Sequence, residues 1–383
     1  MATTARFPIL FITASRVGDA VLTTGLLHRL SQEIPHARFT VVADPLTAPL
    51  FRDVPNLDRL ISLEKERGSL HWFKLWRMVR GRRWGVVVDM RGSALARFLN
   101  ARRRAVKKPL PPGLEPVHKV IEAARVLRVD DDPPAPYLFT SDETEAAAAA
   151  LLANSQGPIL AMAPAANWVG KTWPAERFAV VAAELLGPGG PMPDGRLLLL
   201  GGPGDRFAAE AVRRVIPRAR LIDAVGRVDL LTAYALLKRA RLFIGNDSGL
   251  MHLSAAAGAP TLGLFGPSDE RLYAPWGPKS RALRGPREFE VFKRIDPDLN
   301  QVVCHMFDLP TPWVTAAARK LFADTAEPVE VETIDAHAVE VAMLEGPPEA
   351  VEPEVVEAAP VVEEAAAEVD EAPHDASPTS ASA

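Results

Sequence analysis

Short, wholly apolar runs alternate along this chain with longer segments whose apolar residues recur every three or four positions, and the alternation occurs twice. A run such as Val86-Val87-Val88-Asp89 has no polar face, so it suits a strand buried on both sides. The spacing of Leu22, Leu26, Leu30 and Ile34 is one face of a helix. Strands of the first kind joined by helices of the second make βαβ units, and these build a parallel sheet covered on both faces.

In the first half, strands are expected at Ile9 to Thr13, Phe39 to Ala43, Leu60 to Leu63 and Val86 to Asp89. Helices are expected through Leu22 to Ile34, Leu70 to Val79 and Val117 to Leu127. The acidic, proline-rich stretch Asp130 to Pro136 then marks a junction. Beyond it a helix over Asp142 to Ala153 precedes strands at Ile159 to Ala163, Leu197 to Leu200, Leu221-Ile222, Leu242 to Gly245 and Thr261 to Phe265. Helices are expected between them at Pro174 to Leu186, Arg206 to Val215, Asp229 to Arg239 and Leu250 to Ala257. Two more follow, over Thr315 to Phe322 and Asp335 to Leu344. The organisation expected is an α/β chain of two Rossmann-like domains, residues 1–135 and 136–345, facing across a cleft. A tail, residues 346–383, is rich in Pro, Glu, Ala and Val and has no aromatics. It lacks the apolar surface to offset its ordering entropy and is expected to be disordered.

With 383 residues and 48% hydrophobic side chains, the chain can bury two cores. No apolar run approaches the ~20 residues that span a bilayer. The apolar run near the N-terminus reads as a strand and not as a leader. Cys304 is the only cysteine, which excludes a disulfide framework and argues against a cysteine-held metal cluster. A cytosolic protein is expected. The net charge of −4 conceals an asymmetry: the tail holds ten acids and no Lys or Arg, which leaves residues 1–345 with a net of +6. Between Arg77 and Lys108 eleven basic residues face one acid, Asp89. Such a run suits anionic headgroups or a phosphorylated substrate. Nucleic acid is the competing partner, but few aromatics interleave with the run, which argues against a single-strand platform.

Three loops carry residues able to do chemistry. In Ser15-Arg16-Val17-Gly18-Asp19, a carboxylate follows the first strand, where ligands of open α/β sheets bind. Asp19 there suits either a helix cap or a base that takes a proton from a hydroxyl. In Asn167-Trp168-Val169-Gly170-Lys171, Lys171 is placed for a phosphate, or is a solvated surface lysine. In Asn246-Asp247-Ser248-Gly249, backbone N–H groups of Ser248 and Gly249 open a helix and form an anion site. His252 lies one turn in, as a core histidine or a ligand, and Asp247 suits a cap or a hydroxyl contact. Gly201-Gly202-Pro203-Gly204-Asp205 suits a plain tight turn or part of a donor-site wall, and the turn is favoured. No G-x-G-x-x-G follows the first strand and no G-x-x-x-x-G-K-[ST] occurs, which argues against dinucleotide oxidoreductases and P-loop kinases.

The stretches SRVGDAVLTTGLLHRL, PAANWVGKTWPAERF and FIGNDSGLMHLSAAAGAPTLGLFGP, in this order, resemble glycosyltransferase family 9, the heptosyltransferases, over roughly Ile9 to Leu344. The resemblance implies a GT-B fold and inverting transfer with neither metal nor cofactor. It implies ADP-heptose as donor and an anionic lipopolysaccharide-core glycolipid as acceptor, at the cytoplasmic face of the inner membrane. By matching positions, Asp19 would be the general base and Lys171 would hold the donor phosphates. Asp247 would contact the sugar, Ser248 and Gly249 the diphosphate, with His252 alongside. Gly226 to Asp229, Val228 included, would line the adenosine pocket. Family members often carry a hydroxyl residue before the lysine; here Ala165-Ala166-Asn167 stands there, and Asn167 is placed to supply that hydrogen bond. The basic run would then serve peripheral membrane contact. Two other readings are a GT-B-like nucleotide-sugar epimerase and a non-catalytic nucleotide-sugar-binding scaffold.

Overall fold

The computed structural model describes residues 7–153, 156–299 and 301–326. The expected helix at Asp335 to Leu344 and the tail from 346 onward lie outside these residues.

The first lobe contains β1 (Phe7–Ile12), α1 (Val17–Glu33), β2 (Ala37–Ala43), β3 (Leu57–Ser62), α2 (Leu70–Val79), β4 (Trp84–Asp89), β5 (Ala101–Val106) and α3 (Lys119–Ala124). Its five strands are parallel, in the order β3-β2-β1-β4-β5. Along β1 the side chains alternate between two buried faces. Ile9 and Phe11 pack with α1 and α3, while Leu10 and Ile12 pack with Leu75 and Val79 of α2 and Leu95 of a 3-10 turn, Leu95–Phe98. That second face has one full helix over it, because β4 and β5 are joined by this short turn and not by a helix.

The second lobe begins with α4 (Asp142–Leu152), β6 (Ile159–Ala163), α5 (Ala175–Leu186), β7 (Arg196–Leu199), α6 (Arg206–Val215), β8 (Leu221–Asp223) and α7 (Leu230–Leu237). It continues with β9 (Leu242–Asn246), α8 (Gly249–Ala256), β10 (Thr261–Phe265), α9 (Glu270–Tyr273), β11 (Ser280–Arg284), α10 (Phe289–Ile295) and α11 (Thr311–Asp324). Its six strands are also parallel, ordered β11-β10-β9-β6-β7-β8. The α5 residues Phe178, Val181, Ala182 and Leu185 are fully buried, as their spacing predicts.

Two strands escape the sequence pattern for one reason. Both β5 and β11 are edge strands, and Arg102, Arg103, Arg281 and Ala282 on them are exposed, so neither shows an apolar run. The strand β5 therefore lies inside the basic segment. The helix expected over Val117 to Leu127 is shorter, ending at Ala124.

One apolar cluster runs through both lobes. It joins Phe11, Val21 and Leu27 of the first to Ala161, Leu231, Phe243 and Met251 of the second. The inter-lobe segment lies along α1, where the Tyr137 N–H donates to Thr24 Oγ1 at 3.0 Å and His28 stacks on Tyr137 at 4.0 Å between centroids. A β-carbon at Gly25 would stand 2.3 Å from the Pro134 carbonyl oxygen and 2.5 Å from that of Ala135. Both obstacles are backbone, so neither can swing aside. Gly25→Ala is expected to destabilise the protein by about 1–3 kcal/mol, the range of an overpacked core site. Urea titration checks this, and an unchanged midpoint would contradict the packing described.

Candidate active site between the lobes

Parallel strands send all their following loops to one edge, and the carboxyl edges of the two sheets carry the residues singled out by sequence. In the first lobe, β1 ends at Ile12 and α1 starts at Val17. Arg16 occupies the N-cap position without a side-chain bond. Asp19 therefore does not cap the helix; it sits in its first turn, half-buried. Burial raises its carboxyl above the usual aspartate range. Asp247 of the opposite lobe pushes the same way, and Arg16, Lys107 and Lys119 oppose it. Two of these cations are anchored: Lys107 Nζ lies 2.9 Å from Glu122 Oε1, and Lys119 pairs with the other oxygen of Glu122.

In the second lobe, the loop after β9 meets the loop after β6. Asn246 is fully buried and holds them together. Its Oδ1 accepts from the Trp173 N–H at 2.9 Å, and its Nδ2 donates to the Pro164 carbonyl at 2.8 Å. Between those clamps a 3-10 turn, Val169–Lys171, presents Lys171. Lys171 Nζ donates to Asp247 Oδ2 at 3.0 Å, and both side chains are largely buried, at 18% and 8% exposure. Asp247 thus neutralises Lys171 and does not cap α8, whose N-cap is Ser248. The Ser248 hydroxyl is buried without a hydrogen-bond partner.

The first turns of α1 and α8 meet. A β-carbon at Gly18 would come within 2.9 Å of His252 Cδ2, and one at Gly249 within 2.5 Å of Val17 Cγ1. His252 is 4% exposed, with its Nδ1 unpartnered and its Nε2 3.8 Å from Asp247 Oδ1. Burial lowers its pKa to about 4, against which the Asp247 carboxylate works. The imidazole is therefore neutral at neutral pH and belongs to the seam. A second cross-lobe contact lies nearby. The His118 Nδ1 accepts from the Val120 N–H at 3.2 Å, leaving Nε2 to donate to the Ala274 carbonyl at 2.9 Å. Lys119 lies 5.7 Å from the Tyr273 ring centroid.

Six of the residues singled out by sequence thus converge: Asp19, Lys171, Asp247, Ser248, Gly249 and His252. Asn167 is exposed on the loop ahead of the Val169–Lys171 turn. Gly226 and Val228 follow β8 at the same edge. Gly226 has φ +67° and donates its N–H to the Gly201 carbonyl at 2.9 Å. The Gly201–Asp205 loop is a turn, closed by Gly202 N–H donating to Asp205 Oδ2 at 2.7 Å. Asp229 caps α7 through the Thr232 N–H at 2.8 Å and pairs with Arg52 of the first lobe. Sequence reading did not single out Asn246, His118, Lys119, Glu122 or Tyr273. The Lys119/Glu122 pair at i, i+3 is a visible signal, but an ordinary one on helix surfaces. Among the described residues no group of three or more His, Cys, Asp or Glu could hold a metal ion.

Comparison with known proteins places this arrangement. Residues 72–298 match the family described as glycosyltransferase family 9 (heptosyltransferase). Lipooligosaccharide heptosyltransferase 2 of Haemophilus ducreyi is 26% identical, with 72% of this chain and 88% of that one covered. Lipopolysaccharide heptosyltransferase 2 of Escherichia coli K12 is 25% identical, covering 72% and 87%. Among solved structures, a family 9 glycosyl transferase of Veillonella parvula superposes with a TM-score of 0.66 at 21% identity, covering 83% of this chain and 98% of that one. The E. coli ADP-heptose LPS heptosyltransferase II gives 0.65 at 21%, covering 83% and 99%. The fold is theirs: GT-B, two parallel α/β lobes with a cleft between.

The buried histidine makes the seam pH-sensitive. Its folded pKa lies below the ordinary histidine value, so the unfolded chain binds the extra proton. Stability is then lost as pH falls from about 6.5 towards about 4. Between pH 7 and pH 5, His252→Gln is expected to lose less stability than the unsubstituted protein, by on the order of 1–2 kcal/mol. Parallel denaturation curves at the two pH values would contradict a neutral buried His252.

Proposed function

The chain belongs to glycosyltransferase family 9, and we propose that it moves a heptose from ADP-heptose to a lipopolysaccharide-core acceptor with inversion at the sugar carbon. The observation that carries this reading is the meeting of Asp19 with the Lys171–Asp247 pair across the lobes. A glycosyl transfer needs a group that takes the acceptor's proton and groups that stabilise the departing diphosphate. Asp19 serves as the base. Among the described residues no hydrogen bond holds its carboxylate, and burial together with Asp247 makes it more basic than an ordinary aspartate. Lys171 and the N–H groups of Ser248 and Gly249, at the positive end of α8, receive the diphosphate. Asp247 keeps Lys171 aimed at that end and presents its second oxygen to the sugar. The unpartnered Ser248 hydroxyl stands ready for a phosphate oxygen.

In this reading Asn167 and the Gly226–Val228 loop complete the donor side, towards phosphate and adenosine respectively. The first lobe takes the acceptor. Closure of the cleft would expel water from the donor and limit its hydrolysis. The names of the relatives supply the heptose and the lipopolysaccharide; the cations around Asp19 suit an anionic acceptor. No described helix is long and apolar enough to cross a membrane. We place the enzyme peripherally at the cytoplasmic face of the inner membrane, with exposed arginines of the Arg77–Lys108 segment meeting the lipid surface.

Asp19→Asn is expected to lower transfer by about 10²–10⁴-fold while ADP still binds; full activity in that variant would remove Asp19 as the base. The base works ionised, so kcat/KM falls as pH drops through its raised pKa, at a higher pH than an ordinary aspartate would give. Lys171→Ala is expected to weaken ADP binding by about 1.5–3 kcal/mol, because a charge-assisted contact is lost. An unchanged affinity by calorimetry would refute the phosphate role.

A further inference from the structure

The thinly covered face of the first sheet carries an apolar groove of about 470 Å³ between α2 and the Leu95–Phe98 turn. Its walls are Trp72, Phe73, Trp76, Leu95 and Phe98, and Ser93 is its polar contribution. The helix explains the arrangement. His71, Leu75 and Val79 form the buried stripe of α2, which leaves Trp72 and Trp76 half-buried beside it and Phe73 on the outside. Phe73 is 56% exposed and Phe98 71%, and Leu70 and Met78 on the same helix are 58% and 46% exposed. One hydrogen bond ties the two walls together: Trp76 Nε1 donates to the Phe98 carbonyl at 3.2 Å. Arg104 holds the turn from behind, donating from Nε to the Ala96 carbonyl at 2.8 Å and from NH2 to that of Leu99 at 2.6 Å.

None of the residues lining the groove is an acid. Arg77 on α2 and Arg97 on the turn are exposed and make no ion pair among the described residues. Arg80 stacks 4.6 Å from the Trp76 ring centroid and Arg91 lies 5.9 Å from that of Trp72. The groove also opens towards the active edge of the sheet. Ser93 and Arg91 follow β4; the Ser93 N–H donates to Asp89 at 3.0 Å, and Arg91 Nε donates to the Thr13 carbonyl just past β1 at 2.8 Å. The loop after β1 is the one that leads to Asp19.

We infer that this groove seats an acyl chain of an anionic membrane leaflet, with the headgroup between Arg77 and Arg97, so that the enzyme is held by apolar insertion and not by its basic residues alone. Tryptophan and tyrosine favour the level where headgroups meet chains, because one end of the ring is apolar and the other hydrogen-bonds. A cation-rimmed aromatic trough with no acid matches a lipid carrying a phosphate above a chain. The inference rests on the membrane-facing acceptor reading above, and it differs in its salt dependence. Charge contacts are screened by salt, whereas buried apolar area is not.

The test uses the full chain with vesicles of phosphatidylethanolamine and phosphatidylglycerol, and phosphatidylglycerol brominated on its acyl chains as quencher. A share of the bound protein is expected to survive high salt, and tryptophan emission is expected to be quenched by the brominated chains. Phe73→Ser combined with Phe98→Ser, at two exposed sites that leave the core intact, should lower partition by about tenfold and remove both the salt-resistant share and the quenching. Arg77→Ala with Arg97→Ala should remove the salt-sensitive share alone. Binding lost wholly at high salt overturns the groove, as does a phenylalanine double variant that partitions like the unsubstituted protein. Transfer to a water-soluble acceptor, assayed without vesicles, separates the two claims. Its absence in the unsubstituted protein counts against the enzymatic reading, while the vesicle measurements decide the groove.

Discussion

Where α1 and α8 meet, the side chains of His252 and Val17 fill the space beside the two glycines, so neither Gly18 nor Gly249 has room for a β-carbon. The rest of the site follows from that contact. Each glycine stands next to the start of its helix, so the join brings two positive helix ends and two carboxylates, Asp19 and Asp247, into one small volume. Lys171 compensates Asp247, while Asp19 makes no hydrogen bond among the described residues and burial raises its carboxyl above the usual aspartate range. The same closeness dehydrates His252 and keeps it neutral. A larger residue at either glycine would have to displace His252 or Val17 at this join.

Much of this is legible in the sequence because strands buried on both faces leave long apolar runs. The ranges read for α2, β6, α6 and β10 match the structure at both ends. The edge strands β5 and β11 were illegible for the converse reason: their outward side chains face water and carry arginines. In the site, the loops were legible as loops and the roles within them only partly. Asp19 and Asp247 both look like caps on spacing, but caps are decided by backbone geometry one or two residues away, and here Arg16 and Ser248 hold those positions. Asn246 matters through partners distant in sequence, Trp173 and Pro164, which no local pattern encodes, and the Lys119–Glu122 spacing is too common on helix surfaces to mark a site. Six of the nine candidate residues meet at the seam, whereas Asn167, Gly226 and Val228 stand on neighbouring loops of the same edge.

The basic segment shows how a charge run divides its labour once folded. Arg82 pairs with Asp58, Arg103 and Arg104 bind backbone carbonyls, Arg91 braces the end of β1, and Lys107 joins the cluster beside Asp19. What remains for a partner is a smaller set, Arg77 and Arg97 among them, and these flank aromatic side chains. A count of eleven cations overstates the electrostatic attraction and hides the apolar surface between them. Surface pairs of this kind contribute little to stability, so their arrangement reflects where the chain runs more than how strongly it folds.

The apolar cluster that joins Phe11 and Leu27 to Phe243 and Met251 has a bearing on how the molecule is inherited and made. Neither half could be transplanted as a ready-made module, since severing the connecting segment would leave an oily wound on each piece. During synthesis the first half would emerge with that side still bare and would need shielding until the second arrived.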